Sequence, residues 1–226
     1  MTRQIILDTE TTGLSAAQGH RLIEIGCIEM INRKITDHYF HRYINPKRMI
    51  DAGATKIHGI TEKFLADKPA FEVIAEDLFQ YLTGAELIIH NAPFDLSFLD
   101  AEFSRINAKH ISITQHCSVI DTLIMARKEH PGQQNNLDAL CRRYKIDNKH
   151  RDFHGALKDA ELLSQIYLLM TGGQSQLFSS DNHEIIDEKQ NNLSVHTEAI
   201  IQKRRLLKVT KATESELKAH EAFFQA

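Results

Sequence analysis

Cysteine is scarce in this chain of 226 residues. Cys27, Cys117 and Cys141 are odd in number, scattered and without CxxC spacing. That argues against a disulfide framework and favours free thiols in a reducing compartment. Long apolar runs are also missing. The opening "MTRQIIL" has only three apolar residues before the next charge, too short for a signal segment, and no later run approaches a membrane span. The expected location is cytoplasmic, with no membrane partner. Nor is there an excess of positive charge, since 27 Lys and Arg face 30 Asp and Glu for a net charge of -3. Without a global basic field, a nucleic-acid partner must be held by local groups or bound cations. The remaining composition, 42% hydrophobic and 25% charged, allows one sizeable core plus an appendage.

A short apolar run, Ile5-Ile6-Leu7, ends in "DTETTGL". On a β-strand, side chains alternate faces, so Asp8 and Glu10 point one way and Thr9 the other. Leu22 to Ile31 and Ile35 to Ile44 are rich in β-branched and aromatic residues, and with the first run they predict a three-stranded meander. Apolar residues at Phe71, Ile74, Leu78, Phe79 and Leu82 have helical spacing, closed by Gly84. The short strand "ELIIH" follows. "NAPFDLSFLDAEFSRI" then reads as a helix with Asn91 as cap and Pro93 in the first turn. "SVIDTLIMARK" reads as a strand running into a helix, and "NNLDALCRRY" and "GALKDAELLSQIYLLM" as two more helices. The predicted class is α/β: a mixed β-sheet with an antiparallel start and βαβ units after it.

At "TGGQSQLFSSDNHEIIDEKQNN" the composition becomes that of a linker. Residues 1–171 are expected to form the globular domain, 172–196 a flexible linker, and 197–226 a tail too small to hold its own core.

Asp8, Glu10 and Asp95 are each unremarkable alone, because strand-end and first-turn acids are common. Together they share one property: all lie at the carboxyl ends of predicted strands, where open α/β sheets place their sites. "HGALKDA" adds His154 and Asp159. Five residues on a continuous helix would set these about 140° apart. They can share a site only if His154 lies in the preceding loop, with Gly155 at the turn and Asp159 on the helix. Four converging carboxylates require cations, and hard oxygen ligands favour Mg²⁺ or Mn²⁺. Two such ions about 4 Å apart would clamp the attacking and leaving oxygens of a phosphodiester displacement. A histidine beside them can take a proton from water near neutral pH. Zinc held by the i,i+4 pair His150 and His154 lacks a third ligand. His38 and His41 face opposite ways on a strand, and the surplus histidines are expected at the surface.

"DTETTGL", "NAPFDLSFL" and "HGALKDA" resemble, in matching order, the three motifs of the DEDDh 3′–5′ exonuclease family. "TRQIILDTETTGL", "IHGIT", "LDALCRRYKIDN" and "YLLMTGGQ" extend the similarity, over nearly the whole chain, to its branch of proofreading subunits from bacterial replicative polymerases. The resemblance implies a ribonuclease-H-like fold with Asp8, Glu10 and Asp159 as direct ligands of two Mg²⁺ or Mn²⁺ ions, Asp95 supporting the second ion and His154 as general base. It also implies that Thr9, Thr11, Gly13 and Leu14 line the path of the terminal nucleotide, Leu14 as an apolar wedge. His58 would lie beside the DNA 3′ end. A glutamate often precedes that histidine by five residues in the family; this chain has Gly53 there. Asn91 and Phe94 would orient the scissile strand, with Phe94 equally suited to the core.

Beyond the domain, "QSQLF" resembles the peptide that binds the bacterial sliding clamp, with Gln174, Leu177 and Phe178 as anchors and Ser175 in place of the usual leucine. The alternative is packing of the Leu-Phe pair on the last helix. "IIQKRRLLKVTKATESELKAHEAFF" resembles the segment by which such subunits bind the catalytic (alpha) subunit of polymerase III, and the family adds a small accessory (theta-like) subunit. Two other functions compete: a DEDDh RNA-trimming exoribonuclease, and a non-catalytic scaffold bridging clamp and polymerase.

Overall fold

The computed structural model describes residues 2–106, 112–148 and 153–172. The expected linker and tail therefore lie outside the described residues, apart from Gly172. Three strands form the meander: β1 (Arg3–Thr11), β2 (Leu22–Ile31) and β3 (Lys34–Tyr43), all antiparallel. Asn32 and Arg33 both take left-handed φ, 49° and 64°, as a two-residue hairpin turn requires. Helices α1 (Ala52–His58) and α2 (Glu62–Leu65) follow. Neither was anticipated, because "AGATKIH" and "EKFL" are too short to display an apolar period. Next come α3 (Phe71–Leu82), β4 (Glu86–Ile89), α4 (Ala92–Arg105), β5 (Ser118–Asp121), α5 (Thr122–Glu129), α6 (Leu137–Tyr144) and α7 (Ala156–Gly172).

The sheet order is β3-β2-β1-β4-β5, with β4 parallel to β1 and β5 parallel to β4. The first strand is thus central. Its odd-numbered Ile5 and Leu7 pack with Phe71, Leu78, Phe98 and Phe103 of α3 and α4, whereas Ile6 packs with Ala160, Leu163 and Tyr167 of α7. The two-residue alternation of β1 therefore sends Thr9 toward α4 and sends Asp8 and Glu10 toward α7.

Asn91 corrects one expectation. It stands at the N-cap position of α4, but in left-handed conformation (φ 69°, ψ 52°) with no side-chain cap bond. Its backbone N–H donates instead to Asp121 Oδ1 at 3.2 Å, which ties the start of α4 to the end of β5.

Gly26 decides how closely α7 lies on the sheet. It is paired with Asp8, and the backbone of Ala156 and Leu157 occupies the place that a Cβ at residue 26 would need. Without that side chain, the first turn of α7 settles directly onto β2, beside the carboxylates of β1.

Candidate active site

The ends of β1 and α7 meet. Ligand atoms of Glu10, His154 and Asp159 all lie within 4.8 Å of one another, the only such trio among the described residues. His154 sits in the loop before α7, and its N–H donates to the Ile57 carbonyl at 3.1 Å, which docks that loop on α1. Asp159 lies in the first turn of α7, buried, with its N–H donating to the Gly155 carbonyl at 2.8 Å. The loop-plus-helix arrangement expected for "HGALKDA" is what the backbone adopts. His154 Nδ1 then lies 3.3 Å from Asp159 Oδ2, the histidine half-exposed and the aspartate enclosed.

Asp8 and Asp95 stand outside this trio. Asp95 approaches β1 from the α4 face, and Thr9 Oγ1 donates to its Oδ1 at 2.6 Å. Burial pushes the Asp95 carboxyl up to about 7 against the hydrogen bond from Thr9. A nearby cation would favour its charged form. Burial chiefly, with the charges of Asp8 and Asp95, raises the Cys27 thiol above its ordinary value.

Glu24 was not singled out from the sequence. It faces Glu10 directly across the β1–β2 pair, buried, with His41 Nε2 2.8 Å from its Oε1. Its signal was the strand register, which places it on the Glu10 face. His41 is therefore held by a buried carboxylate rather than left at the surface. His41 itself stays partly exposed, whereas His20 is buried, contrary to the expectation for surplus histidines.

Beside the trio lies a cleft of about 420 Å³, lined among others by Thr9, Glu10, Thr11, Gly13, Leu14, His58 and Phe94. That volume is in the range of small-molecule sites. Leu14 is 84% exposed at its rim. Thr11 Oγ1 donates to the Gly13 carbonyl at 2.6 Å and so braces the turn. A Cβ at Gly13 would run into the buried His20 ring, which would have to move to admit it. His58 Nδ1 accepts from the Ile60 N–H at 3.0 Å, so the proton resides on Nε2. That buried Nε2 makes no well-formed hydrogen bond. Burial holds the His58 pKa below its ordinary value, outweighing the Glu24 charge and the nearby Thr11 carbonyl. Gly53 also lines the cleft, with open space where its side chain would be. Phe94 is both core and cleft: its ring packs tilted against Phe98, with centroids 5.0 Å apart, and borders the opening. Asn91 does not join this cleft but lines a neighbouring one.

Two carboxylates and an imidazole so close, on an enclosed floor, form a donor set suited to a divalent cation. No helix among the described residues is long and apolar enough to cross a membrane.

A mixed sheet with a central acidic strand, closed by an aspartate-bearing helix, defines the class as a ribonuclease-H-like exonuclease, a class that generally uses divalent metal ions. The family described as Exonuclease matches residues 5–167, and the chain belongs to that family, in its branch of DNA polymerase III epsilon subunits. It is 49% identical to the epsilon subunit of Buchnera aphidicola, over 99% of this chain and 96% of that protein. With the subunit of Escherichia coli it shares 45% identity over 98% and 92% of the two chains. Among solved structures, Exonuclease X in complex with 5′ overhanging duplex DNA is 27% identical, with TM-score 0.59 over 76% of this chain and 93% of that one. Escherichia coli exonuclease I with a dT13 oligonucleotide, 21% identical, shares the fold at TM-score 0.67 over 79% and 43%.

Proposed function

We propose that this chain is the proofreading 3′–5′ exonuclease of a bacterial replicative polymerase, removing mispaired nucleotides from DNA primer ends. The observation that carries this reading is the convergence of Glu10, His154 and Asp159 beside a nucleotide-sized cleft. Asp8, Glu10 and Asp159 would hold the metal, with Asp95 supporting a second ion. Two bound Mg²⁺ or Mn²⁺ ions would lower the pKa of the attacking water and neutralise charge on the reacting phosphate.

The protein's own groups do the rest. His154, on its loop, takes the proton of the attacking water, and Asp159 Oδ2 orients the imidazole through Nδ1. Thr9 holds Asp95 in place by donating its hydroxyl proton. The exposed Leu14 wedges beside the terminal base, and Nε2–H of His58 is a donor inside the cleft that receives that nucleotide.

Residues 1–171 would act as the nuclease, with 172–196 as linker carrying the clamp anchors Gln174, Leu177 and Phe178. Residues 197–226 would bind the polymerase's catalytic subunit in the cytoplasm. Such a tether supplies a high effective concentration at the primer end. A theta-like accessory subunit completes the proposed assembly.

A 5′-labelled primer–template with a matched or mispaired terminus tests the reading. Metal-dependent release of 5′-mononucleotides from the 3′ end, faster from the mispaired primer, is the expected result. Equal or faster trimming of short RNA would transfer the reading to an exoribonuclease, and no hydrolysis would leave the scaffold.

A further inference from the structure

A second cleft, of about 540 Å³, opens on the other side of the first turn of α4. We infer that it is a subsite for single-stranded nucleic acid upstream of the scissile bond, lined by Asn91, Arg127, Gln133, Gln134 and Asn136. This rests on the exonuclease reading above.

Its position comes first. Asn91 lines this cleft and Phe94 lines the terminal-nucleotide cleft, and the Phe94 N–H donates to the Asn91 carbonyl at 3.0 Å. A single turn of backbone, the one that carries Asp95, thus separates the two. A strand whose last nucleotide occupies the first cleft meets the second on crossing that turn. Both open at the carboxyl ends of parallel strands, β4 and β5 in the second case.

Charge comes next. A polyanion is repelled by carboxylates, and none lines this cleft. Asp121, at the end of β5, accepts backbone N–H bonds at Oδ1 from Asn91, Leu123 and Ile124, which offset its charge at the start of α5. Arg127 is exposed and, among the described residues, has no ion-pair partner. In a chain with net charge -3, Arg127 thus places a guanidinium, without an ion pair among the described residues, on a cleft lined by no acid.

The amides are also held ready. Arg143 of α6 donates from Nη1 to Asn135 Oδ1 at 3.0 Å and from Nη2 to the Gln134 carbonyl at 2.9 Å. Asn135 Nδ2 in turn donates to the carbonyls of His130 and Gln133. The loop backbone from 130 to 136 is pinned, so the Gln133 and Gln134 side chains project from a fixed frame, while Asn136 Oδ1 accepts the Ala139 N–H at 2.8 Å as the cap of α6 and leaves only its amide N–H groups for a ligand. Guanidinium and amide groups on such a frame suit phosphate oxygens and base edges without demanding one sequence.

The test compares two substrates of the full chain with Mn²⁺. The p-nitrophenyl ester of thymidine 5′-monophosphate reaches only the terminal cleft, whereas a single-stranded oligothymidylate extends upstream. For Arg127→Ala, KM on the oligonucleotide should rise about tenfold with kcat unchanged, as for one lost charge-assisted contact. The slope of its log KM against log salt should shrink by about 0.7. Ester kinetics should match the parent, and Arg127→Lys should recover most of the salt slope. Oligonucleotide KM and salt slope equal to the parent's would overturn the subsite while leaving the exonuclease reading intact. A parent that hydrolyses neither substrate would overturn the exonuclease reading, and the subsite with it.

Discussion

The backbone nitrogen of Leu157 occupies the space in which a side chain on Gly26 would begin. Because Gly26 is paired with Asp8, this contact sets how near α7 comes to the acidic end of β1. Gly26→Ala must push the helix start outward, at a cost of about 1–3 kcal/mol as for other overpacked sites. Urea unfolding should show the lower midpoint. Nuclease turnover should fall at least about tenfold, since Asp159 moves with the helix; unchanged turnover would mean that the helix position does not govern the site.

Glu10→Gln and Asp159→Asn each remove one carboxylate charge without changing volume. Hydrolysis should be lost in both. Added Mn²⁺ should raise the melting temperature of the parent, because a ligand bound only to the folded state stabilises it, and should raise that of neither variant. A variant that still gains stability from Mn²⁺ would remove its residue from the metal site.

The His154 side chain is half-exposed. His154→Gln should therefore keep the parent's melting temperature and lose about 10² to 10⁴ in kcat, the range for a missing general base. A loss confined to KM would assign the histidine to binding instead.

His90 provides a pH prediction. Burial lowers its pKa from the ordinary 6.5, only partly opposed by the Asn135 carbonyl and the Asp121 charge. Below that value the unfolded chain binds a proton that the folded state resists, so stability is full above about pH 6.5 and falls as the solution is acidified. Over the interval from about pH 7 to pH 5, the urea midpoint of His90→Gln should fall less than the parent's. Parallel decline in the two proteins would refute the assignment.

Deleting Leu177 and Phe178 should weaken binding to a sliding clamp and leave hydrolysis of short single strands unchanged. Surface plasmon resonance against immobilised clamp measures the first and mononucleotide release the second. Undiminished clamp affinity would dismiss the peptide.

The order of strands and long helices was legible because each carries a strong local signal. Ile5 to Leu7 and the meander declare period two, and Phe71 to Leu82 declares a helical period that the structure reproduces residue for residue. The placing of His154 in a loop also followed from simple geometry, since five residues of helix would have parted it from Asp159. Shorter pieces were less readable. Helices α1 and α2 lack the length to show a period, and the left-handed turn at Asn91 depends on a hydrogen bond to Asp121 thirty residues away. Glu24 looked like one more strand acid until register set it opposite Glu10.

By itself the sequence determined which chemistry was possible: acids at strand ends, a histidine freed by the glycine after it, and an apolar alternation that builds the sheet. Those are properties of residue type and spacing, and they act locally. Only the tertiary structure decided that Glu10, His154 and Asp159 meet while Asp95 leans on Thr9 from the opposite face. The physical reason lies in contacts between distant segments: α7 seats on a bare glycine of β2, and the two faces of β1 are claimed by different helices.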